Sequence, residues 1–518
     1  MRDQGIGSWP ARRARKTPDR VAVVHDDRQW TYRELHARVL RLAHALRALG
    51  IGRGDRVAYL GPNHPTFLET LFAAGTLGAV FVPLNTRLAA AELAHQLADS
   101  GSTVLIHARE LSEVAAAAAP EPTVARIPLT SPVDDAPDYE TLLAAEDAAP
   151  LDEPVSPDDP CMIMYTSGTT GRAKGAVLTH ANITWNSVNV LIDVDLASDE
   201  VTLVTAPLFH TAGLNMTCLP TLLKGGRVVL LRAFDPDRVL ELIAVHRVTY
   251  MFAVPTMYDA MSARPAWASA DLSSLRTLNC GGAPVPERTI AAYLARGLAF
   301  GQGYGMTEAS PGILYLDREQ TTARAGSAGV PHFFTDIRVV RPDGGDADAG
   351  EKGEILVTGP HVMTGYWHLP GPTADAFTPD GRWLRTGDIA RLDEDGYAYI
   401  VDRVKDMFIS GGENVYPAEV EDAILGHPAV AECAVIGVPD ATWGEAGRAV
   451  VVLRPDHQTD EAELLAHLRS RLAKYKIPKS VIFTRRLPRT ASGKLVKPAI
   501  RTAYASGTAD PTRKDPQP

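Results

Sequence analysis

Residues 166 to 175 read T-S-G-T-T-G-R-A-K-G, a density of hydroxyls and glycines that no ordinary packed element requires. Thr and Ser hydroxyls and glycine backbone N–H groups converge on an anion where a Cβ would block close approach, and Arg172 and Lys174 add positive charge. Thr166, Ser167, Gly168, Thr169, Thr170, Gly171 and Lys174 are therefore candidate ligands of a nucleotide phosphate. Gly168, Gly171 and Lys174 fall three apart, which is not the G-x-x-x-x-G-K-[ST] spacing of a Walker loop. The apolar run Cys161-Met162-Ile163-Met164-Tyr165 before the segment and Ala176-Val177-Leu178-Thr179 after it predict two strands joined by the cradle. A plain Gly/Ser/Thr hairpin is the alternative.

The elements that hold such a loop are spread over 518 residues, more than one typical domain. Hydrophobic residues at 45% and charged residues at 22% are the balance of a globular chain. A net charge of −10 argues against a nucleic-acid partner, and the basic cluster Arg12 to Lys16 reads as a solvated face. No apolar run is long enough to span a bilayer and no secretory h-region opens the chain, so the expected location is cytoplasmic. Cys161, Cys218, Cys280 and Cys433 lie far apart with no C-x-x-C pair, which predicts buried thiols rather than disulfides or a zinc site. With no H-E-x-x-H arrangement either, the expected metal is magnesium arriving with the nucleotide.

Thr31 to Gly50 predicts an amphipathic helix, with Thr31 and Glu34 as a capping box, Leu35, Val39, Leu42, Leu46 and Leu49 as its stripe, and Gly50 as its stop. Strand-like runs at 56–60, 103–107, 201–205, 227–231 and 249–254 alternate with helical stretches such as 236–246, which predicts an α/β sheet architecture. From about Thr335 to Tyr399 short strands and Asp-Gly turns suggest a small β-barrel-like region. The expected organisation is a large N-terminal domain over residues 1–401, a hinge at 402–406 and a small mobile α+β domain over 407–505. The tail from 506 to 518 is expected to be disordered.

The cradle is followed, in order, by Gly303-Tyr304-Gly305-Met306-Thr307-Glu308, by Thr386-Gly387-Asp388, by Asp402-Arg403-Val404-Lys405-Asp406 and by Arg489-Thr490-Ala491-Ser492-Gly493-Lys494. With these five motifs the chain resembles the adenylate-forming acyl-CoA synthetases over nearly its whole length. Gly7-Ser8-Trp9-Pro10, Tyr59-Leu60-Gly61-Pro62-Asn63-His64-Pro65 and Pro331-His332-Phe333-Phe334-Thr335-Asp336 look like the feruloyl-CoA synthetases of actinobacteria. Medium- and long-chain fatty acid ligases share much of this scaffold.

The resemblance implies a two-step reaction, in which a carboxylate becomes an acyl-adenylate with release of pyrophosphate and a thiol then displaces AMP. ATP, Mg²⁺ and CoA are the implied small-molecule partners. It implies that the cradle holds the β- and γ-phosphates, that Glu308 binds Mg²⁺ and Thr307 the α-phosphate, and that the whole 303–308 motif lines the nucleotide. Asp388 is matched to the ribose hydroxyls and Arg403 to ribose or phosphate, both suited to charge-assisted hydrogen bonds. Gly281, Gly282 and Ala283, placed after a strand at Leu275 to Asn279, match the segment beside adenine. Lys494 is matched to the cation that reaches both the attacking carboxylate and the α-phosphate, and Lys405 to the hinge that inserts or withdraws it. Ser410, Gly411 and Gly412, with Glu413 and Asn414, match the segment that meets acyl acceptor and CoA.

His210, within Pro207-Leu208-Phe209-His210, matches the position beside the substrate carboxylate. With Phe209, Leu214 and Met216 around it and Gly281, Gly303 and Gly305 opposite, it is expected to close a mostly apolar acyl pocket. Ala173 stands where relatives commonly carry proline, which leaves the cradle less restrained before phosphate binds. Lys494 also resembles an acetylation target, since loss of its charge removes its function. The leading expectation is an AMP-forming acid–CoA ligase acting on a hydroxycinnamate such as ferulate, with a medium- or long-chain fatty acid ligase as runner-up. Transfer to a carrier-protein thiol and a silent binding paralogue are the remaining alternatives, and a homodimer is left open.

Overall fold

The computed structural model describes residues 3–119, 124–130, 138–166, 173–282, 287–403, 406–410, 413–440, 443–469, 471–472, 474–489 and 495–505. The chain folds as two compact units, one formed by Met1–Ile337 with Leu356–Arg385 and the other by Arg338–Ile355 with Thr386–Pro518.

The first unit is α/β and carries two large sheets. The nine-stranded sheet runs in the order Val330–Pro331, Gly312–Leu316, Phe300–Gly305, Thr277–Gly281, Tyr250–Ala253, Val201–Val204, Arg227–Leu230, Val21–His25 and Arg28–Thr31. Its middle is parallel, and the turn of the chain after Gly305 makes Gly312–Leu316 antiparallel to Phe300–Gly305. The apolar strands pack Leu203, Met251, Leu278 and Phe300 against Val239, Ile243, Tyr258 and Tyr293 of flanking helices in one buried cluster. The seven-stranded sheet runs Gly365–Tyr366, Lys174–Thr179, Pro160–Thr166, Val80–Leu84, Arg56–Leu60, Val104–His107 and Ala125–Pro128.

Most of the predicted elements stand within a residue or two of their expected bounds. The helix Tyr32–Ala48 begins with both halves of the Thr31/Glu34 capping box, and Leu35, Val39, Leu42 and Leu46 are buried. Leu49 departs from the predicted stripe and is 44% exposed, because the helix is already closing there before Gly50 turns away at φ +88°. The strand expected at Leu275 to Asn279 is instead Thr277–Gly281, so Gly281 is a strand residue rather than one that follows it. The basic cluster is only partly solvated. Arg12 binds the Ser8 hydroxyl at 2.9 Å and Arg13 donates to the carbonyl of Leu223, leaving Arg15 and Lys16 exposed. All four cysteines are buried and free. Among the described residues no helix is long and apolar enough to cross a membrane.

The second unit holds most of a four-stranded sheet ordered Asp336–Val340, Lys352–Thr358, Leu384–Leu392 and Ala398–Arg403, the form taken by the predicted β-rich region. It also holds a five-stranded sheet in which Gly444–Leu453 is central and forms a long antiparallel pair with Val430–Asp440. Alternation along Val430–Asp440 splits its side chains between two faces. Cys433 and Val435 meet Val420, Ile424, Leu464 and Leu468 of two helices, while Ala434, Ile436 and Val438 meet Ile500 of a third.

One helix of the first unit, His180–Asp193, ties both large sheets to the segment after Gly359. Thr179 and Asn182 cap it reciprocally, at 3.1 Å from the Asn182 N–H to the Thr179 hydroxyl and 2.8 Å from the Thr179 N–H to Asn182 Oδ1. The Asn182 amide then donates at 2.8 Å to the carbonyls of both Pro360 and Val362. A cap and two carbonyl contacts thus depend on one side chain. Asn182→Ala is expected to destabilise the first unit by about 2 kcal/mol, measured as a lower urea midpoint; an unchanged midpoint would show that Asn182 is not a tie.

Candidate active site

The two strands flanking the cradle, Pro160–Thr166 and Lys174–Thr179, pair antiparallel with Thr166 opposite Lys174. Cys161 to Met164 and Ala176 to Thr179 are buried, so the hairpin root is anchored in the sheet. Ser167, Gly168, Thr169, Thr170, Gly171 and Arg172 lie outside the described residues.

At that root, side chains from the hairpin and from two distant segments meet. The Thr166 hydroxyl lies 3.4 Å from Glu308 Oε1, and the Tyr366 hydroxyl donates to the same oxygen at 2.9 Å. The Lys174 ammonium stands 5.1 Å from the Tyr366 ring centre, within cation–π range. Glu308 is only 6% exposed, and Met363 N donates to its backbone carbonyl at 2.8 Å. Burial, reinforced by the neighbouring Glu308 charge, pushes the Tyr366 phenol up, so it acts as a neutral donor. Tyr366 belongs to no motif singled out in the sequence. Only a Gly-Tyr-Trp triplet marks it, and its place follows from Gly365–Tyr366 pairing with Lys174–Thr179 as an added strand.

The backbone leading to Glu308 explains its glycines. Gly303, Tyr304 and Gly305 end the strand Phe300–Gly305, Met306 follows, and Thr307 and Glu308 sit in a 3₁₀ turn ending at Ala309. A Cβ at Gly305 would lie 1.7 Å from the Pro311 carbonyl oxygen, which accepts from Met306 N at 3.1 Å. A Cβ at Gly281 would lie 2.7 Å from the Gly303 carbonyl oxygen, and Gly282 adopts φ +82°. At Gly303 a Cβ would meet nothing within 4 Å. Ala283 lies outside the described residues.

His210 caps the short helix Thr211–Gly213, which continues as a π-helix over Leu214–Cys218. The Phe209 ring meets the His210 ring edge-on, with centres 4.8 Å apart. A buried residue from a remote loop sets this segment. Asn63 Oδ1 accepts from Leu208 N at 2.8 Å, while its amide donates to Ala206 O at 3.0 Å and Leu231 O at 3.1 Å. Asn63 belongs to one of the segments that carry the family resemblance, yet its clamp on the His210 loop has no local signal. Phe209, Leu214 and Met216, expected around an apolar pocket, are buried, and Asn215 between them is fully buried too.

In the second unit Asp388 and Arg403 face each other across antiparallel strands, with Arg403 Nε 2.9 Å from Asp388 Oδ1. Asp388 is buried and Arg403 half exposed. Gly387 takes φ +69°, and the Thr386 hydroxyl, itself donating to Ile355 O at 2.8 Å, accepts from Asp388 N at 3.1 Å. Asp402 accepts from Arg403 N at 2.7 Å and Ala418 N at 2.8 Å, and its burial raises its carboxyl, an effect opposed by Lys497. Ser410 is buried in the strand Phe408–Ser410. Lys405, Gly411, Gly412 and Lys494 lie outside the described residues. Thr166, Lys174 and Glu308 are therefore brought together in the first unit, and Asp388 with Arg403 in the second.

Among the described residues no group of three or more His, Cys, Asp and Glu side chains is arranged to hold a metal ion. A hard cation at this site would have the Glu308 carboxylate and the oxygens of a phosphate ligand as its donors.

Residues 10–367 match the family described as AMP-binding enzyme, and residues 419–494 match its C-terminal domain. The chain belongs to the AMP-binding enzyme family. This AMP-binding enzyme is 59% identical over 504 residues to the feruloyl-CoA synthase of an Amycolatopsis species, covering 97% of the chain and 100% of that relative. It is similar to a solved Mycobacterium tuberculosis fatty acyl CoA synthetase at 39% identity and TM-score 0.79, over 97% of this chain and 98% of that one. It is also similar to ATP-bound MatB from Rhodopseudomonas palustris at 34% identity and TM-score 0.88, over 96% of this chain and 99% of that one.

The contrast between Gly305 and Gly303 gives a test of the site's backbone. Gly305→Ala must displace the Pro311 carbonyl and with it the Glu308 turn, and a misplacement of about 1 Å costs on the order of 100-fold in kcat for acid-dependent pyrophosphate release. Gly303→Ala, which enters open space, is expected to raise KM for the acid with kcat nearly kept. Equal kinetics for the two variants would refute this geometry.

Proposed function

We propose that this chain is an ATP-dependent, AMP-forming ligase that joins a hydroxycinnamic acid such as ferulate to CoA. The buried Glu308 carboxylate, held by Thr166 and Tyr366 beside Lys174 at the root of the cradle, is the observation that carries the adenylating half of this reading. The acid is suggested by the likeness to feruloyl-CoA synthase, which exceeds the likeness to the fatty acyl CoA synthetase. A fatty acid ligase is the second reading, supported by that weaker likeness.

In the first step a carboxylate oxygen bonds to the α-phosphorus of ATP and the bond to pyrophosphate breaks. Charge builds on the phosphate oxygens, and preorganised donors are worth more there than in water because they need not reorganise. The cradle holds the β- and γ-phosphates, Thr307 the α-phosphate, and Lys494 bridges the attacking carboxylate and the phosphorus. Glu308 would hold magnesium arriving with the nucleotide, and the ion would supply charge neutralisation there. Asp388 receives the ribose hydroxyls, Arg403 orients its carboxylate, and Gly281 to Ala283 leave room for adenine. In the second step the CoA thiolate bonds to the acyl carbon and AMP leaves. Rotation about Lys405 withdraws Lys494 and presents Ser410, Gly411 and Gly412 to the thiol. His210 stands beside the carboxylate throughout. A cytoplasmic location belongs to the same reading, and light scattering would tell a homodimer from a monomer.

Release of AMP from ATP is expected to require both ferulate and CoA, and to be much slower with palmitate. Lys494→Ala should lose at least ~10²-fold in pyrophosphate release while still converting synthetic feruloyl-adenylate to thioester. Faster turnover of palmitate than of ferulate would favour the fatty acid reading, and undiminished pyrophosphate release in Lys494→Ala would remove that lysine from the first step.

A further inference from the structure

The face of the nine-stranded sheet that carries Gly303 ends in a chain of buried, neutral polar side chains that the reaction above does not use. Gly301 and Gly303 point to the same face of their strand, one repeat or ~7 Å apart. The surface is open at Gly303, whereas a Cβ at Gly301 would lie 2.3 Å from Tyr315 Oη and 2.5 Å from Asn279 Oδ1. Tyr315 and Asn279 therefore close the open face where Gly301 makes room for them. The Tyr315 hydroxyl donates to Asn279 Oδ1 at 3.1 Å, the Asn279 amide to Tyr250 Oη at 3.3 Å, and the Tyr250 hydroxyl to Met216 O at 2.9 Å.

This chain also ties the sheet to the opposite wall. Met216 lies six residues beyond His210 along the helical run that starts at Thr211, about 9 Å at a helical rise. With the acid's carboxylate beside His210 and Gly303 as proposed above, these spans of about 7 and 9 Å bracket the length of an extended three-carbon acid carrying a benzene ring. Tyr250, Asn279 and Tyr315 are buried, and around them Val190, Val194, Leu196 and Met216 supply an apolar surround. Burial, followed by the charge of Asp317, pushes the Tyr315 phenol up, so it is neutral at ordinary pH. Because the hydrogen bonds run in one direction, each hydroxyl proton is spent toward Met216 O, and the first member, Tyr315, keeps acceptor capacity on its oxygen.

We propose that Tyr315 Oη accepts a hydrogen bond from the ring hydroxyl of a para-hydroxylated aromatic acid, with Asn279 and Tyr250 as the positioning residues that orient it. This rests on the reading of the site as a hydroxycinnamate ligase and deepens it. The polar floor rewards a phenol and offers nothing to an alkyl end or a bare ring. A hydrogen bond of this kind is worth about tenfold in selectivity.

The test compares kcat/KM for 4-hydroxycinnamate, cinnamate and 4-methoxycinnamate in the full-length wild type and in Tyr315→Phe. The wild type is expected to prefer 4-hydroxycinnamate over cinnamate by about tenfold, with the methyl ether no better than cinnamate because it has no proton to donate. Tyr315→Phe is expected to erase that preference while holding cinnamate within about twofold of wild type. A preference unchanged in Tyr315→Phe overturns the inference and leaves the ligase reading standing. If the variant does not fold, equal use of the three acids by the wild type overturns it just as well. A wild type that forms thioesters from palmitate and from none of the three overturns the ligase reading, and the inference with it.

Discussion

A carboxylate buried at the end of a strand is tolerated only where donors and cations meet it, and Glu308 is such a carboxylate. Thr166 and Tyr366 meet it directly and Lys174 stands over the Tyr366 ring, so that both strands of a hairpin and a strand added beside it converge there. Much of the first unit can be understood from that requirement. The seven-stranded sheet presents the hairpin, the nine-stranded sheet presents the turn after Gly305, and Asn182 binds the segment from which Met363 and Tyr366 reach Glu308.

Close approach of backbone to backbone is the second constraint. Gly305 lets the Pro311 carbonyl cross where a methyl group would stand, and Gly281 does the same for the Gly303 carbonyl. These contacts bring the Glu308 turn and the backbone at Gly281 and Gly303 into place with no side-chain atoms between the crossing strands. A glycine that serves packing and a glycine that leaves space look alike in sequence. Gly305 and Gly303, two residues apart, differ in this respect.

The second unit uses a different device for its charged pair. Asp388 is buried by its sheet and Arg403 sits opposite it on the neighbouring strand, partly in water. The arginine keeps the carboxylate oriented, and its own exposure keeps the desolvation cost of the pair low. Asp402, one residue away and pointing to the other side, caps the start of the helix Pro417–Leu425 through Ala418 N. Acids of two motifs on neighbouring strands thus do separate work, Asp388 facing Arg403 and Asp402 capping a helix of the scaffold.

The local elements of this chain were readable from its amino acids alone, because apolar periodicity, capping boxes and glycine stops are encoded within a few residues of where they act. The helix Tyr32–Ala48, the hairpin strands around the cradle and the parallel strands of the large sheet all follow from such short-range rules. Five ordered motifs also disclosed the family, since the chemistry of adenylation confines residue types at each. What only the tertiary structure decided are contacts whose partners lie far apart in the chain. Tyr366 joins Glu308 across 58 residues and Asn63 clamps Leu208 across 145. Tyr315 meets Asn279 across 36. None of these has a local signature, because a tyrosine or asparagine in a strand or loop reads the same whether it faces solvent or closes a site. Their roles come from sheet order and strand register, which bring remote side chains within hydrogen-bond reach.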